Sequence, residues 1–229
     1  MIVGENFIFV QVPRTSSSSM SGYLCRTLDV EAPSQHGSFL DMDMPTAGKT
    51  VFLFVRNPFE REFSEWKYHA GKRGDVPHNL SFTEWVYWRY ADMPLPESYF
   101  GRPGVSDYLR TFSRYPQLGW MLDTECNLKT DLIGFFETRK ESTESILSEL
   151  GIPLDSTYPI TEASHQRVPT SDYRKFYTAK TRKLIEDRYK PDLEAFGYTF
   201  ESREGNKKIN LSAVSDFSFV EKVGSYLHK

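Results

Sequence analysis

Six consecutive residues, Arg14-Thr15-Ser16-Ser17-Ser18-Ser19, set one permanent cation beside five hydroxyl side chains, directly after Pro13. A guanidinium stays charged at every accessible pH, and each hydroxyl is a rotatable donor. Together they suit an anion such as a phosphate. Serines are also good helix caps, so a serine-rich turn that merely starts a helix is the simpler alternative. The loop is not a Walker A loop: there is no Gly-Lys-Ser/Thr and the glycines are missing, which counts against an ATPase or a kinase. A second cation, Arg56, is followed eight positions later by Ser64.

Both groups sit where strands should end. Phe7 to Val12 is almost wholly apolar and reads as a short strand buried on both faces, stopped by Pro13. Met20, Tyr23, Leu24 and Leu28 then recur at helical spacing, so the hydroxyl run bridges a strand and a helix. That arrangement points backbone N–H groups at an anion. Val51 to Val55 is a second buried strand with Arg56 at its C-terminal end. Pro58 opens a helix whose inner side carries Phe59, Phe63 and Trp66, with Ser64 about two turns in.

Further along, Ser81-Phe-Thr-Glu84 is a capping box ahead of a helix containing Phe82, Trp85, Val86 and Trp88. Helical spacing assigns the two tryptophans to the core rather than to a ligand platform. Met93 to Arg114 reads as an ordered loop, and Pro116 to Leu122 as a short helix. Leu132 to Phe136 is a third strand, and Ser142 to Leu150 a helix closed by Gly151 and Pro153. Asp172 to Tyr189 reads as mostly helical, restarting at Thr178. Strands alternating with helices imply a P-loop-like, three-layer α/β sandwich with a central parallel sheet flanked by helices. Residues 1–200 form the expected main domain. Residues 201–229 form an extension, in which Val214, Phe217, Val220 and Val223 suggest a weak amphipathic helix that docks on its own domain or, as an alternative, makes a homodimer contact.

The 229 residues are 39% hydrophobic and 15% aromatic, enough for a large core. Net charge is −3, so there is no global basic field for nucleic acid and any anion site must be local. No apolar run approaches the roughly 20 residues that span a bilayer. The first core strand begins within a few residues of Met1, leaving no room for a signal peptide. Cys25 and Cys126 lack metal-type spacing and read as reduced thiols, and no metal-ligand cluster is apparent. The expectation from these bounds is a cytoplasmic enzyme or binding domain.

The two strand-end groups resemble the sulfotransferase superfamily, which uses 3′-phosphoadenosine-5′-phosphosulfate (PAPS) as sulfuryl donor. In that family the first strand–loop–helix holds the 5′-phosphosulfate, usually as Pro-Lys-Thr followed by small and hydroxyl residues; here it is Pro13 to Ser19. The second holds the 3′-phosphate through an Arg and a Ser in a phrase like Val55-Arg56-Asn57-Pro58-Phe59-Glu60-Arg61, with Ser64 in register. Phe135-Phe136-Glu137 and the stretch Tyr173 to Phe200 are similar to later family patterns. His36-Gly37-Ser38-Phe39-Leu40-Asp41 is similar to a phrase of the carbohydrate branch, which includes the uronyl 2-O-sulfotransferases and whose His is the proposed base.

The resemblance implies donor contacts from Arg14, Thr15, Ser16, Ser17, Ser18, Ser19, Arg56, Ser64 and Arg167, the last lying with His165 where the family approaches the nucleotide. It implies catalytic roles for Arg14 and His36, the product PAP (adenosine 3′,5′-bisphosphate), a carbohydrate or small-molecule acceptor, and no metal. Arg14 replaces the usual Lys, and Gln11 a frequent His. Because Arg does not give up its proton, Arg14 is expected to act as an electrostatic clamp. A non-catalytic nucleotide-binding relative and a small-molecule kinase are the alternatives.

Overall fold

A computed structural model describes residues 1–31, 37–39, 44–101, 104–110, 112–125, 127–155, 158 and 172–202. These fall into two compact units, one drawn from residues 1–56 and 117–158, the other from 57–116 and 172–202.

The first unit is built on a four-stranded sheet in the order β1-β2-β3-β4, where β1 is Ile2–Val3, β2 Phe7–Val10, β3 Thr50–Val55 and β4 Leu132–Phe135. β2, β3 and β4 run parallel, with Phe9 opposite Phe52 and Val55 opposite Phe135. Their C-terminal ends therefore share one edge. β1 runs antiparallel to β2, so the sheet is mixed rather than purely parallel. Two residues of strand are too few to register as a pattern in the sequence. β2 stops at Val10, earlier than the strand to Val12 that Pro13 suggested.

Phe7, Phe9, Phe52 and Phe54 line one face of this sheet. They pack with Met20, Tyr23 and Leu24 of α1 (Ser17–Leu28) and with Ile146 and Leu147 of α5 (Arg139–Glu149). The rings of Phe9 and Phe52 stack with centroids 4.8 Å apart. Gly134 faces Phe54 across β3 and β4, and a Cβ there would lie 2.4 Å from the Phe54 ring. Only glycine leaves that ring its place. On the other face Ile8, Val10, Val51, Leu53 and Val55 are fully buried. The α/β class expected from the sequence therefore holds, as a mostly parallel sheet flanked by helices.

The second unit is helical. α2 (Pro58–Lys67) starts as expected, with Pro58 in its first turn and the Asn57 side chain accepting from the Phe59 N–H. It runs into a wider π turn over Tyr68–Arg73. α3 (Phe82–Tyr90) carries both halves of the Ser81/Glu84 capping box. α6 (Ala179–Arg188) restarts at Thr178, whose hydroxyl accepts from the Thr181 N–H, and α7 is Lys190–Phe196. Phe59, Phe63, Phe82, Trp85, Val86, Ile185 and Tyr189 share its core, and Trp85 and Trp88 are buried as expected.

Two helix assignments change. Met93 to Arg114 is not all loop: it holds α4 (Val105–Arg110) and short 3₁₀ turns at Glu97–Tyr99 and Phe112–Arg114. Only Val105 and Leu109 bury a face of α4, too little periodicity to reveal it. α5 begins at Arg139, three residues before the expected Ser142, because its first turn is polar and its buried face starts at Thr143. His36, His165, Arg167 and the extension beyond residue 202 lie outside the described residues.

Candidate functional site

The shared edge at the ends of β2 and β3 is where ligands bind in open α/β sheets. After β2 the chain turns through two non-glycine residues in the left-handed region, Arg14 at φ 64° and Ser16 at φ 78°. Each costs roughly 1 kcal/mol against ordinary backbone, and such outliers concentrate at functional turns. The turn is pinned from below: the buried Thr15 hydroxyl donates to the Val12 carbonyl at 3.0 Å. A second brace joins strand to helix. Gln11 donates through Nε2 to the Ser21 hydroxyl at 2.6 Å, which donates to the Ser17 carbonyl at 2.7 Å.

Above this brace α1 presents its positive end. Its first turn has no acidic residue, and Ser16 at the cap makes no side-chain capping bond to the helix. The N–H groups of Ser19 and Met20 both reach the Ser16 carbonyl. The first N–H groups of any helix have no acceptor four residues back, and the helix dipole concentrates there, so Ser17 and Ser18 open an anion-attracting end. Ser18 is exposed, and Ser16 and Ser19 are half-buried. Thr15 and Ser17 are buried. The Thr15 hydroxyl proton is committed inward, so its N–H is what it can offer an anion.

Arg56 follows the last residue of β3, and its Nη1 donates to the Arg14 carbonyl at 3.2 Å. The guanidinium lies 3.9 Å from the centre of the Phe136 ring, which follows β4. Of the expected residues, Arg14 to Ser19 and Arg56 are thus gathered at one edge. Ser64 lies on α2 in the second unit, half-buried.

Three residues to which the sequence reading gave no role in the site complete this edge, one of them, Phe136, already quoted there in a family-like motif. Gln117, fully buried, pairs with the Arg56 backbone in both directions. Phe136 supports the Arg56 guanidinium. Arg139, first residue of α5, donates through Nη1 to the Ser16 hydroxyl at 3.4 Å. Arg139 had a usable signal, being a third Arg just past a third strand end. Gln117 had none, since its partner is 61 positions away.

Among the described residues, His69 could rival His36 as a base. Its Nδ1 lies 2.8 Å from Asp75 Oδ2 and its Nε2 3.6 Å from Glu65 Oε1, and the ring is buried against Trp85. Both ring nitrogens face carboxylates inside the second unit, so His69 is a packing and orienting element rather than a proton acceptor for a substrate. Among the described residues no group of three or more His, Cys, Asp or Glu side chains is arranged to hold a metal, and no helix is long and apolar enough to cross a membrane.

A family model described as "Sulfotransferase family" matches residues 3–199. No curated protein and no solved structure matches the chain.

Proposed function

The chain belongs to the sulfotransferase family, and on that premise we propose that it moves a sulfuryl group from PAPS to an acceptor hydroxyl on a carbohydrate or a small molecule. The observation that carries the reading is the meeting of Arg14, Arg56 and the open end of α1 at the C-terminal edge of the parallel strands. These residues fit the donor: a nucleotide with anionic groups at both its 3′ and 5′ positions needs separate cations, and backbone N–H groups suit a phosphosulfate.

The donor supplies an activated sulfuryl group on a phosphate leaving group. The N–H groups of Ser17 and Ser18, with the Ser16, Ser18 and Ser19 hydroxyls, bind the 5′ end. Arg14 stabilises negative charge that grows on the bridging phosphate oxygen as the S–O bond breaks. Arg56 binds the 3′-phosphate, and the spacing of Arg56 and Ser64 in the sequence supports a share for Ser64; Arg167 belongs to the same proposal through the family resemblance. His36 accepts the proton of the acceptor hydroxyl as its oxygen bonds to sulfur. The His36 to Asp41 phrase favours an acceptor of the uronyl 2-O type. Positioning and preorganised charge carry this chemistry, as they do in phosphoryl transfer.

The testing experiment incubates the purified chain with sulfur-labelled PAPS, first without acceptor and then with a panel of sugars, phenols and amines. Slow sulfate release alone and labelled product with one acceptor class are expected. Tight PAP binding with no release of label under any condition would replace this reading with a non-catalytic nucleotide-binding role.

A further inference from the structure

Arg139 stands where a cation is locally unfavourable. It is the first residue of α5, so its charge adds to the positive end of that helix, and Glu141 in the same turn offsets only part of this. The half-buried guanidinium donates to the Ser16 hydroxyl at 3.4 Å, and its carbon lies 5.7 Å from the centre of the Phe136 ring. The same ring carries Arg56 at 3.9 Å, and Arg56 donates to the Arg14 carbonyl at 3.2 Å. Two guanidinium groups from neighbouring strand ends thus converge on one aromatic ring and one loop. Like charges gathered this way repel. Attraction to the ring face offsets part of that, and an anion within reach of both guanidinium groups is attracted by each.

We propose that Arg139 is a further donor-binding residue. It contacts the 5′-phosphate side of a nucleoside 3′,5′-bisphosphate, while Phe136 fixes its spacing from Arg56 on the 3′ side. This rests on the donor reading above. The assignment of ends follows from the partners: Arg139 donates to a hydroxyl of the serine run itself, whereas Arg56 meets the Arg14 backbone, ahead of that run, and leads away from the end of β3. The planar fork of an arginine matches a phosphate, and half-burial strengthens the contact.

The test is calorimetric titration of wild type, Arg139→Ala, Arg139→Lys and Arg56→Ala with three probes: PAP, adenosine 5′-monophosphate and adenosine 3′-monophosphate. Arg139→Ala should lose about 10- to 100-fold in affinity for the two 5′-phosphorylated probes, the scale for one charge-assisted partner. It should bind the 3′-monophosphate as wild type does. Arg139→Lys should recover part of the loss, and Arg56→Ala should show the mirror pattern. Circular dichroism and thermal melts check that each variant is folded. Equal losses on the 3′ and 5′ monophosphates, or wild-type affinity for all three, would overturn the assignment of Arg139 while leaving the donor reading intact. Wild type that binds none of the three would overturn both.

Discussion

The side-chain amide of Gln117 pairs with both backbone polar groups of Arg56. The Arg56 N–H donates to Oε1 at 2.8 Å, and Nε2 donates to the Arg56 carbonyl at 2.8 Å. An amide used this way substitutes for one more residue of neighbouring strand, so β3 keeps strand-like order one position beyond its end. The side chain of Arg56 leaves from that fixed backbone. Gln117 is fully exposed to none of the solvent that could replace these bonds.

Gln117→Ala should therefore lower stability by about 1–3 kcal/mol, the cost of leaving buried backbone groups without partners. It should also weaken PAP, because Arg56 loses its fixed origin. Gln117→Glu keeps an acceptor for the N–H and loses the donor, so it should fall between. Denaturant midpoints and calorimetric titration with PAP check both effects. Unchanged stability and affinity in Gln117→Ala would show that the pairing does not position Arg56.

This pairing marks the boundary of what local sequence can convey. The β2–loop–α1 unit could be read because Pro13 and the hydroxyl run punctuate it and the apolar positions of α1 follow at helical spacing. The starts of α3 and α6 were readable for the same reason, since Ser81/Glu84 and Thr178/Thr181 satisfy helix ends within three residues. The polar first turn of α5 hid its start, and with it Arg139. The contacts that assemble the site are long-range: Arg56 to Arg14 spans 42 positions, Arg56 to Gln117 spans 61, and Arg139 to Ser16 spans 123. No periodicity encodes such pairs; they arise only when parallel strands bring their ends together.

The second unit makes a separate prediction at alkaline pH. Glu62 of α2 accepts from Arg89 at 2.5 Å, from the Trp85 indole at 2.6 Å and from the Tyr90 hydroxyl at 2.6 Å, and Tyr90 and Tyr189 share a hydrogen bond of 2.8 Å. Burial, reinforced by the Glu62 charge, holds the Tyr90 phenol well above its ordinary range, and burial raises Tyr189 as well. Since the folded state favours the neutral phenols, their contribution to stability is complete below the unfolded value near 10. It is lost as pH rises from there through the folded values. Phenolate absorbance followed with ellipticity should show a subset of the 13 tyrosines ionising only as the fold is lost. Tyr90→Phe and Tyr189→Phe should diminish that late phase. All tyrosines ionising in one step near pH 10, with ellipticity intact, would refute it.

His36 carries the proposed proton transfer. His36→Ala should reduce turnover by roughly 10²–10⁴, the range for loss of a general base, while PAP affinity stays within about twofold. Turnover in wild type should fall as pH drops through the histidine range, because the protonated ring cannot accept a proton. The pH profile of His36→Ala should lose that limb. Near-normal turnover in the variant would remove His36 from the mechanism and direct the search to a carboxylate.

Arg14 is where this chain departs most from the family resemblance, and its geometry sharpens the clamp proposal. Its backbone sits in the left-handed region while its carbonyl accepts from Arg56. The main chain of Arg14 is therefore tied to the second cation whatever its side chain does, which lets a side-chain substitution be read for charge. Arg14→Lys keeps the charge and loses the planar fork, so substantial activity should survive. Arg14→Ala should cost about 10²–10³ in turnover, the scale for removing one preorganised donor at a developing charge. PAP affinity should fall less than turnover, because the proposed 5′ contacts of the α1 N–H groups are untouched by this change. Turnover and PAP affinity measured together for wild type and both variants separate the two roles. If Arg14→Ala keeps full turnover, charge stabilisation lies elsewhere. If wild type is inactive and Arg14→Lys gains activity, the arginine itself has silenced an otherwise complete donor site.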